Sequence, residues 1–182
     1  TEGENPRLYW ISTDGTGRKG RLLEEEEKEE GLETPWSFSP HGRLAFSRQV
    51  PETGFDIWTL PVEISDSGRL EPGEQKLFLA TDSQDLQPAF SPDGKWLAYT
   101  SNESGTPEVY VRPFLGPGGK SQVSSAGGGY PIWSPDGREL FYRGLDRRLM
   151  VVTCVADGTS FSAGKPRAWS GLQSQAANLY RN

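Results

Sequence analysis

The sequence predicts an all-β fold on three observations: a turn motif that recurs three times, apolar strands behind each turn, and a composition rich in turn formers and aromatics. The 182 residues include 22 Gly and 14 Pro, with 11% aromatic and only 34% hydrophobic residues. That balance is expected of short strands joined by many turns. The length suits one domain or part of a larger one.

The recurring unit is anchored on Ser-Pro: "FSPHGRLAFSRQ" from Phe38, "FSPDGKWLAYTS" from Phe90 and "WSPDGRELFYRG" from Trp133. The anchor serines are Ser39, Ser91 and Ser134. Repeats of this length with strand patterning indicate β-propeller blades, four antiparallel strands each. Pro-Asp-Gly supplies a tight hairpin, because Pro fixes φ at the first corner, Asp bonds its own backbone and Gly accepts a positive φ. A second strand follows each turn, with Leu44, Leu97 and Leu140 equivalent, as are Phe46, Tyr99 and Tyr142. The third strands are "DIWTLP", "EVYVRP" and "LMVVT", and "RLYWIS" from Arg7 fits the same register, which makes Leu8, Ile57, Val109 and Leu149 equivalent. Outer strands are expected at Gln75 to Thr81 and Ser121 to Ser125, with "GKPRAWSGL" a weaker candidate. Large residues on both faces of "KWLAYT" and "EVYVR" suit a sheet packed between two other sheets.

In order, the chain reads as half a blade (1–30), three blades (about 34–82, 86–126 and 129–172) and a tail or the start of a next blade (173–182). A ring holds at least four blades. This partial arc is therefore expected to belong to a longer propeller or to close by pairing with a second copy, since open blade faces leave apolar surface and strand edges uncovered.

The net charge of −6 and the absence of a basic stripe argue against nucleic acid as a partner. No apolar run reaches the length of a membrane span, so no membrane insertion by this segment is expected. Cys154 has no Cys or His at metal-ligand spacing and is expected to pack as a small apolar residue.

Several segments touch on catalytic or cofactor chemistry. "GTGRKG", Gly15 to Gly20, matches G-x-G-x-x-G in form, but no βαβ unit follows it, and a Gly-rich hairpin is the better reading. The acidic run Glu24 to Glu30 lacks the Gly-containing oxygen loop of a calcium site. His41, the only histidine, stands where the other repeats carry a turn Asp. "AWSGL" around Ser170 lacks the first Gly of a nucleophile elbow, and a triad has no histidine to use besides His41. Asp82 and Asp85 fall in an inter-blade loop rather than on facing strands. The expectation is a non-enzymatic segment with no catalytic, metal or cofactor-binding residues.

Binding is expected on the loops at one end of the blades. These are "GLETP", "TDSQDLQ" and "AGGGY" between blades, and "RQVPETG", "SNESGT" and "RGLDRR" between second and third strands. Variable loops on a rigid scaffold commonly house recognition. Trp36, Arg48, Asn102, Glu103, Tyr130 and Arg143 are the candidate binding residues, because aromatic and Arg side chains dominate interface energetics. The competing expectation is that Trp36 and Tyr130 fill the layer between blades.

The pattern in "PAFSPDGKWLAY" and "PIWSPDGRELFY" resembles the WD40-like, or PD40, repeats of TolB-like propellers. It is degraded in "PWSFSPHGRLAF", where Trp36 replaces Pro, His41 replaces Asp and one residue is missing. The stretch from Val109 to Gly144 is similar to the C-terminal propellers of bacterial serine/threonine protein kinases, which implies a sensor or interaction domain that binds protein or peptide, and an extracytoplasmic location. No kinase motif is present in this chain. The alternatives are the gating propeller of a prolyl-oligopeptidase-type serine peptidase and a TolB-like envelope scaffold.

Overall fold

Each Ser-Pro turn closes a hairpin between the first and second strands of a sheet, and two of the three turns are built alike. In the computed structural model, which describes residues 7–23, 31–158 and 160–170, Ser91 Oγ donates to Asp93 Oδ1 at 2.6 Å and accepts the Trp96 N–H at 3.0 Å. Asp93 Oδ1 also accepts the Lys95 N–H at 3.1 Å, and Gly94 takes φ +70°. Ser134, Asp136, Arg138 and Glu139 repeat these three bonds at 2.6, 3.1 and 2.9 Å. In the degraded repeat His41 offers no carboxylate, and Ser39 Oγ alone accepts the Arg43 N–H at 3.2 Å. The turn survives because the Ser hydroxyl and Gly42 remain.

Sixteen strands are present among the described residues. β1 (Tyr9–Ile11) and β2 (Lys19–Arg21) form a hairpin around the Gly-rich loop. The first large sheet holds β3 (Glu33–Phe38), β4 (Arg43–Val50), β5 (Gly54–Ile64), β6 (Leu70–Pro72) and β7 (Lys76–Leu79). The second is β8 (Asp85–Phe90), β9 (Trp96–Ser101), β10 (Glu108–Pro113) and β11 (Ser121–Gln122). The third contains β12 (Gly129–Trp133), β13 (Glu139–Arg143), β14 (Leu149–Asp157), β15 (Ser160–Ala163) and β16 (Arg167–Ala168). All pairings are antiparallel and follow chain order, with β7 and β16 as outer strands. The short hairpin strands β6 and β15 extend β5 and β14. Residues 24–30, with the acidic run, and the tail beyond 170 lie outside the described residues.

The sheets stack face to face, which explains strands that are apolar on both sides. Leu44 and Phe46 pack toward Leu8 and Leu22 of the opening hairpin, whereas Ala45 and Ile57 pack toward Leu97 and Tyr99 of the second sheet. Val109 and Val111 meet Leu140 and Val152 of the third sheet, with Cys154 buried among them. β9 is buried along its whole length. Burial of each such Leu or Val contributes about 1.5–3 kcal/mol, so the boundaries between sheets are the core. The outward faces of the two end sheets lack this cover: Tyr9, Ile11, Ile132, Leu149 and Val155 are all exposed. Leu149 thus shares the register of Ile57 and Val109 without sharing their burial.

Candidate functional site

The inner strands β3, β8 and β12 each lose register against the second strand at one place: between Pro35 and Ser37, Leu86 and Ala89, and Gly129 and Ile132. The irregular residue lies four positions before the anchor serine and is Pro35, Gln87 or Tyr130. Gln87 and Tyr130 both adopt φ +58°. A left-handed conformation costs a non-Gly residue roughly 1–2 kcal/mol, and the proline after each disfavours the right-handed helical alternative. Pro35 cannot follow, because its ring fixes φ near −65°. The first sheet therefore makes its irregularity differently and places Trp36 where the others carry Pro88 and Pro131.

One result is an open apolar groove of about 560 Å³ across all three inner strands, walled by Trp36, Phe38, Pro88, Tyr130, Pro131 and Ile132. Trp36 and Tyr130 meet edge to face with ring centroids 6.3 Å apart. They are 38% and 50% exposed, so neither is core filling. The wall is poor in free polar groups. The Ser37 hydroxyl donates to Pro88 O and accepts the Phe90 N–H, both at 3.1 Å, and the Trp133 indole N–H donates to Ala89 O at 3.0 Å. Pro35, Pro88 and Pro131 have no N–H to offer an added strand, so this wall favours side-chain contact over strand addition.

A second cavity of about 320 Å³ lies between the second and third sheets and shares Gln87 and Tyr130 with the groove. Its wall includes Thr100, Gly129, Arg143 and Arg147. Gln87 Oε1 accepts the Thr100 hydroxyl at 2.7 Å and the Tyr130 N–H at 2.8 Å. A Cβ on Gly129 would sit 3.2 Å from that oxygen, and one on Gly128 only 2.7 Å from the Tyr142 ring. Close approach therefore accounts for two glycines of the "AGGGY" loop. Glu108 holds the loop from behind, accepting the Gly127 N–H at 2.8 Å and the Ser124 hydroxyl.

A row of three equivalent positions caps the strands beside these loops, read from the pairing register. In the first sheet it is Glu33, Arg48 and Asp56; in the second, Asp85, Ser101 and Glu108; in the third, one step beyond the last paired residues Gly129, Arg143 and Leu149, it is Gly128, Gly144 and Arg148. Arg48 is 3% exposed and bonds Glu33 Oε1 at 2.9 Å and Gln75 Oε1 at 2.7 Å, with its guanidinium 4.7 Å from the Trp58 ring. This corrects the expectation of a loop residue available for binding, because β4 runs on to Val50 and carries Arg48 into the interior. Asp56 and Asp85 are also buried. Burial pushes both carboxyls up, against the opposing bonds from Thr53 to Asp56 and from Ser101 and Thr81 to Asp85.

The remaining candidates divide. Asn102 is structural, its Oδ1 accepting the Gln84 N–H at 2.8 Å. Glu103 is exposed and ion-paired with Lys120. Arg143 is exposed on the second cavity, beside Tyr130 of the groove. Sequence reasoning missed Gln87 and Arg147 as individual residues. The offset from the anchor serine was a signal for Gln87, since it aligns with Tyr130; Arg147, inside a short hairpin turn, had none. Among the described residues no group of three or more His, Cys, Asp or Glu is arranged to hold a metal.

No protein-family model matches the sequence, and no curated protein does. Solved structures do match. A protein assigned as TolB from Agrobacterium tumefaciens aligns at 19% identity and TM-score 0.54 over 75% of this chain and 50% of its own. TolB from Acinetobacter baumannii aligns at 18% and 0.55, over 92% and 40%. The fold is that of a TolB-like β-propeller. A protein assigned as a 6-phosphogluconolactonase from Bacteroides uniformis also aligns, at 16% and 0.51 over 88% and 50%. The chain spans half or less of the length of each of these structures, and its described sheets form an arc of the propeller rather than a closed ring.

Proposed function

We propose that this propeller arc is a non-catalytic module that binds an extended segment of a partner protein or peptide along the inner-strand groove, in the manner of an interaction or sensor domain. The observation that carries the reading is the Trp36–Tyr130 pair. Two large aromatic side chains from different sheets meet at the surface, 38% and 50% exposed, over a wall with few free polar groups. Aromatic anchors of this kind supply most of the energy at recognition surfaces. Grooves lined by aromatic rings suit extended, proline-containing or apolar segments, whose backbone needs little further ordering.

The test is retention of synthetic hexapeptides, randomised in sequence and displayed on an array, by the purified chain. Selective retention that falls at least tenfold in Trp36→Ala and in Tyr130→Ala is expected. Failure to retain any peptide, or indifference to both substitutions, refutes the reading.

A further inference from the structure

We infer that the cavity between the second and third sheets is an oxyanion subsite contiguous with the groove, so that the preferred peptide carries an anionic group next to its apolar or aromatic anchor. The inference rests on the peptide-groove reading and adds the ligand's charge.

Charge distribution is the first support. The chain carries 25 acidic and 19 basic residues, yet the cavity wall includes Arg143 and Arg147 and, among the described residues, no Asp or Glu. Both arginines are exposed. Several other arginines are ion-paired: Arg7 and Arg48 with Glu33, Arg18 with Asp14 and Arg167 with Glu139. Asp146, the acid next to Arg147 in the chain, is already taken. Its Oδ2 lies 3.4 Å from Arg148 Nε and its Oδ1 accepts the Arg148 N–H at 3.0 Å.

Backbone placement is the second. Arg147 adopts φ +66°, an uncommon conformation for a residue with a side chain, and its N–H donates to Gly144 O at 2.9 Å in a closed turn. That turn presents it on the same cavity as Arg143. Gln87 adds a neutral donor. Because its Oε1 must accept the Tyr130 backbone N–H, the orientation of the amide is settled and Nε2 is the end left to donate.

The chemistry follows from these groups. Two guanidinium forks and an amide suit a planar or tetrahedral oxyanion, and no general base or nucleophile is placed among them. Three sources share this chemistry: a peptide C-terminus, an Asp or Glu side chain, and a phosphorylated residue. Since Gln87 and Tyr130 belong to both cavities, an anchor on the aromatic pair and an anion at the arginines fit one continuous ligand.

The experiment prints the hexapeptide array in four forms: free C-terminal carboxylate, C-terminal amide without acidic residues, amide with internal Asp or Glu, and amide with phosphoserine. Wild-type protein is expected to retain at least one anionic form tenfold better than the neutral amide, with the ratio shrinking as sodium chloride is raised. The form retained best identifies the source of the anion. The double variant Arg143→Gln with Arg147→Gln should bring the ratio to within twofold of unity, and an unchanged circular dichroism melt would establish that it folds. Equal retention of all forms, or an anion preference that survives the double variant, overturns the subsite. In that event neutral peptides still lost in Trp36→Ala would leave the groove reading standing. No retention of any form would bring down both.

Discussion

The side-chain oxygen of Gln87 accepts the Tyr130 N–H at 2.8 Å across the boundary between the second and third sheets. The bond ties together two inner strands at the two residues that take φ +58°. Gln87→Ala removes it along with the Thr100 bond. Because water can replace a partner for the exposed Tyr130, the expected loss is about 0.5–1.5 kcal/mol per bond. Gln87→Glu retains the acceptor and should melt close to wild type at neutral pH, while weakening retention of anionic peptides. Thermal denaturation of both variants, followed by circular dichroism, is the check.

Arg48 and Glu33 form a buried pair, 3% and 6% exposed. Arg48→Ala leaves the Glu33 carboxylate buried without that partner and should cost about 3–5 kcal/mol. Arg48→Met together with Glu33→Gln should recover most of the loss, because the unpaired charge is gone. Urea denaturation distinguishes this from the near-neutral effect of truncating an exposed arginine.

Much of this fold is legible in the chain because the turns punctuate it. Asp93 and Asp136 make the same local bonds wherever Pro-Asp-Gly occurs, so the repeats announce their first hairpins. The side hairpins at β6 and β15 were less visible. Their turns lie at Asp66 to Gly68 and Asp157 to Gly158, but extending β5 to Ile64 and β14 to Asp157 requires strands longer than the repeat pattern implies. Arg48 lies inside for the same reason, as β4 outlasts its apolar run. The Trp36–Tyr130 contact was not readable at all, since it depends on how the inner strands of the first and third sheets converge across that of the second.

Asp85 and Asp56 are pushed up by burial, and Asp85 also by the like charges of Glu103 and Asp56. A carboxyl whose folded value exceeds its unfolded value favours the fold when protonated. Its contribution is full below about pH 4 and is lost as pH rises through the folded value. Asp85→Asn keeps an oxygen for the Thr81 hydroxyl, which donates to Asp85 at 2.8 Å. The variant should melt above wild type at pH 7, with the difference vanishing near about pH 4. A variant less stable than wild type at both pH values would contradict this.

His41→Asp restores the carboxylate found in the other two turns. Burial pushes Asp93 up, but the Ser91 hydroxyl and the Lys95 N–H outweigh it; at Asp136 the Ser134 hydroxyl and the Arg138 N–H act in the same lowering direction. The His41 turn is one residue shorter and its Arg43 N–H is already accepted by Ser39 Oγ, so the gain rests on the Ser39 hydroxyl and should be about 0.5 kcal/mol at neutral pH. That gain should be lost as pH falls through the new carboxyl's lowered value, the opposite sign to Asp85. Melting temperatures at neutral and acidic pH test both the gain and its sign.

The isolated chain should associate with itself, since Tyr9 and Ile11 are exposed on one end face and Ile132, Leu149 and Val155 on the other. Light scattering over a concentration series is expected to give a mass rising above 20.1 kDa, and Leu149→Lys with Val155→Lys should suppress the rise. A constant monomer mass for the unmodified chain would refute the expectation.

The strand-end row changes character from sheet to sheet. The Glu33–Arg48 pair bolts the first sheet shut, Glu108 latches the second to the loop that follows it, and Gly128 and Gly144 line a recess in the third. A sheet that gives up its own lock can do so only beside neighbours that keep theirs, because each layer of a stacked array is held by the next. Vacancy in one repeat is thus underwritten by redundancy in the others.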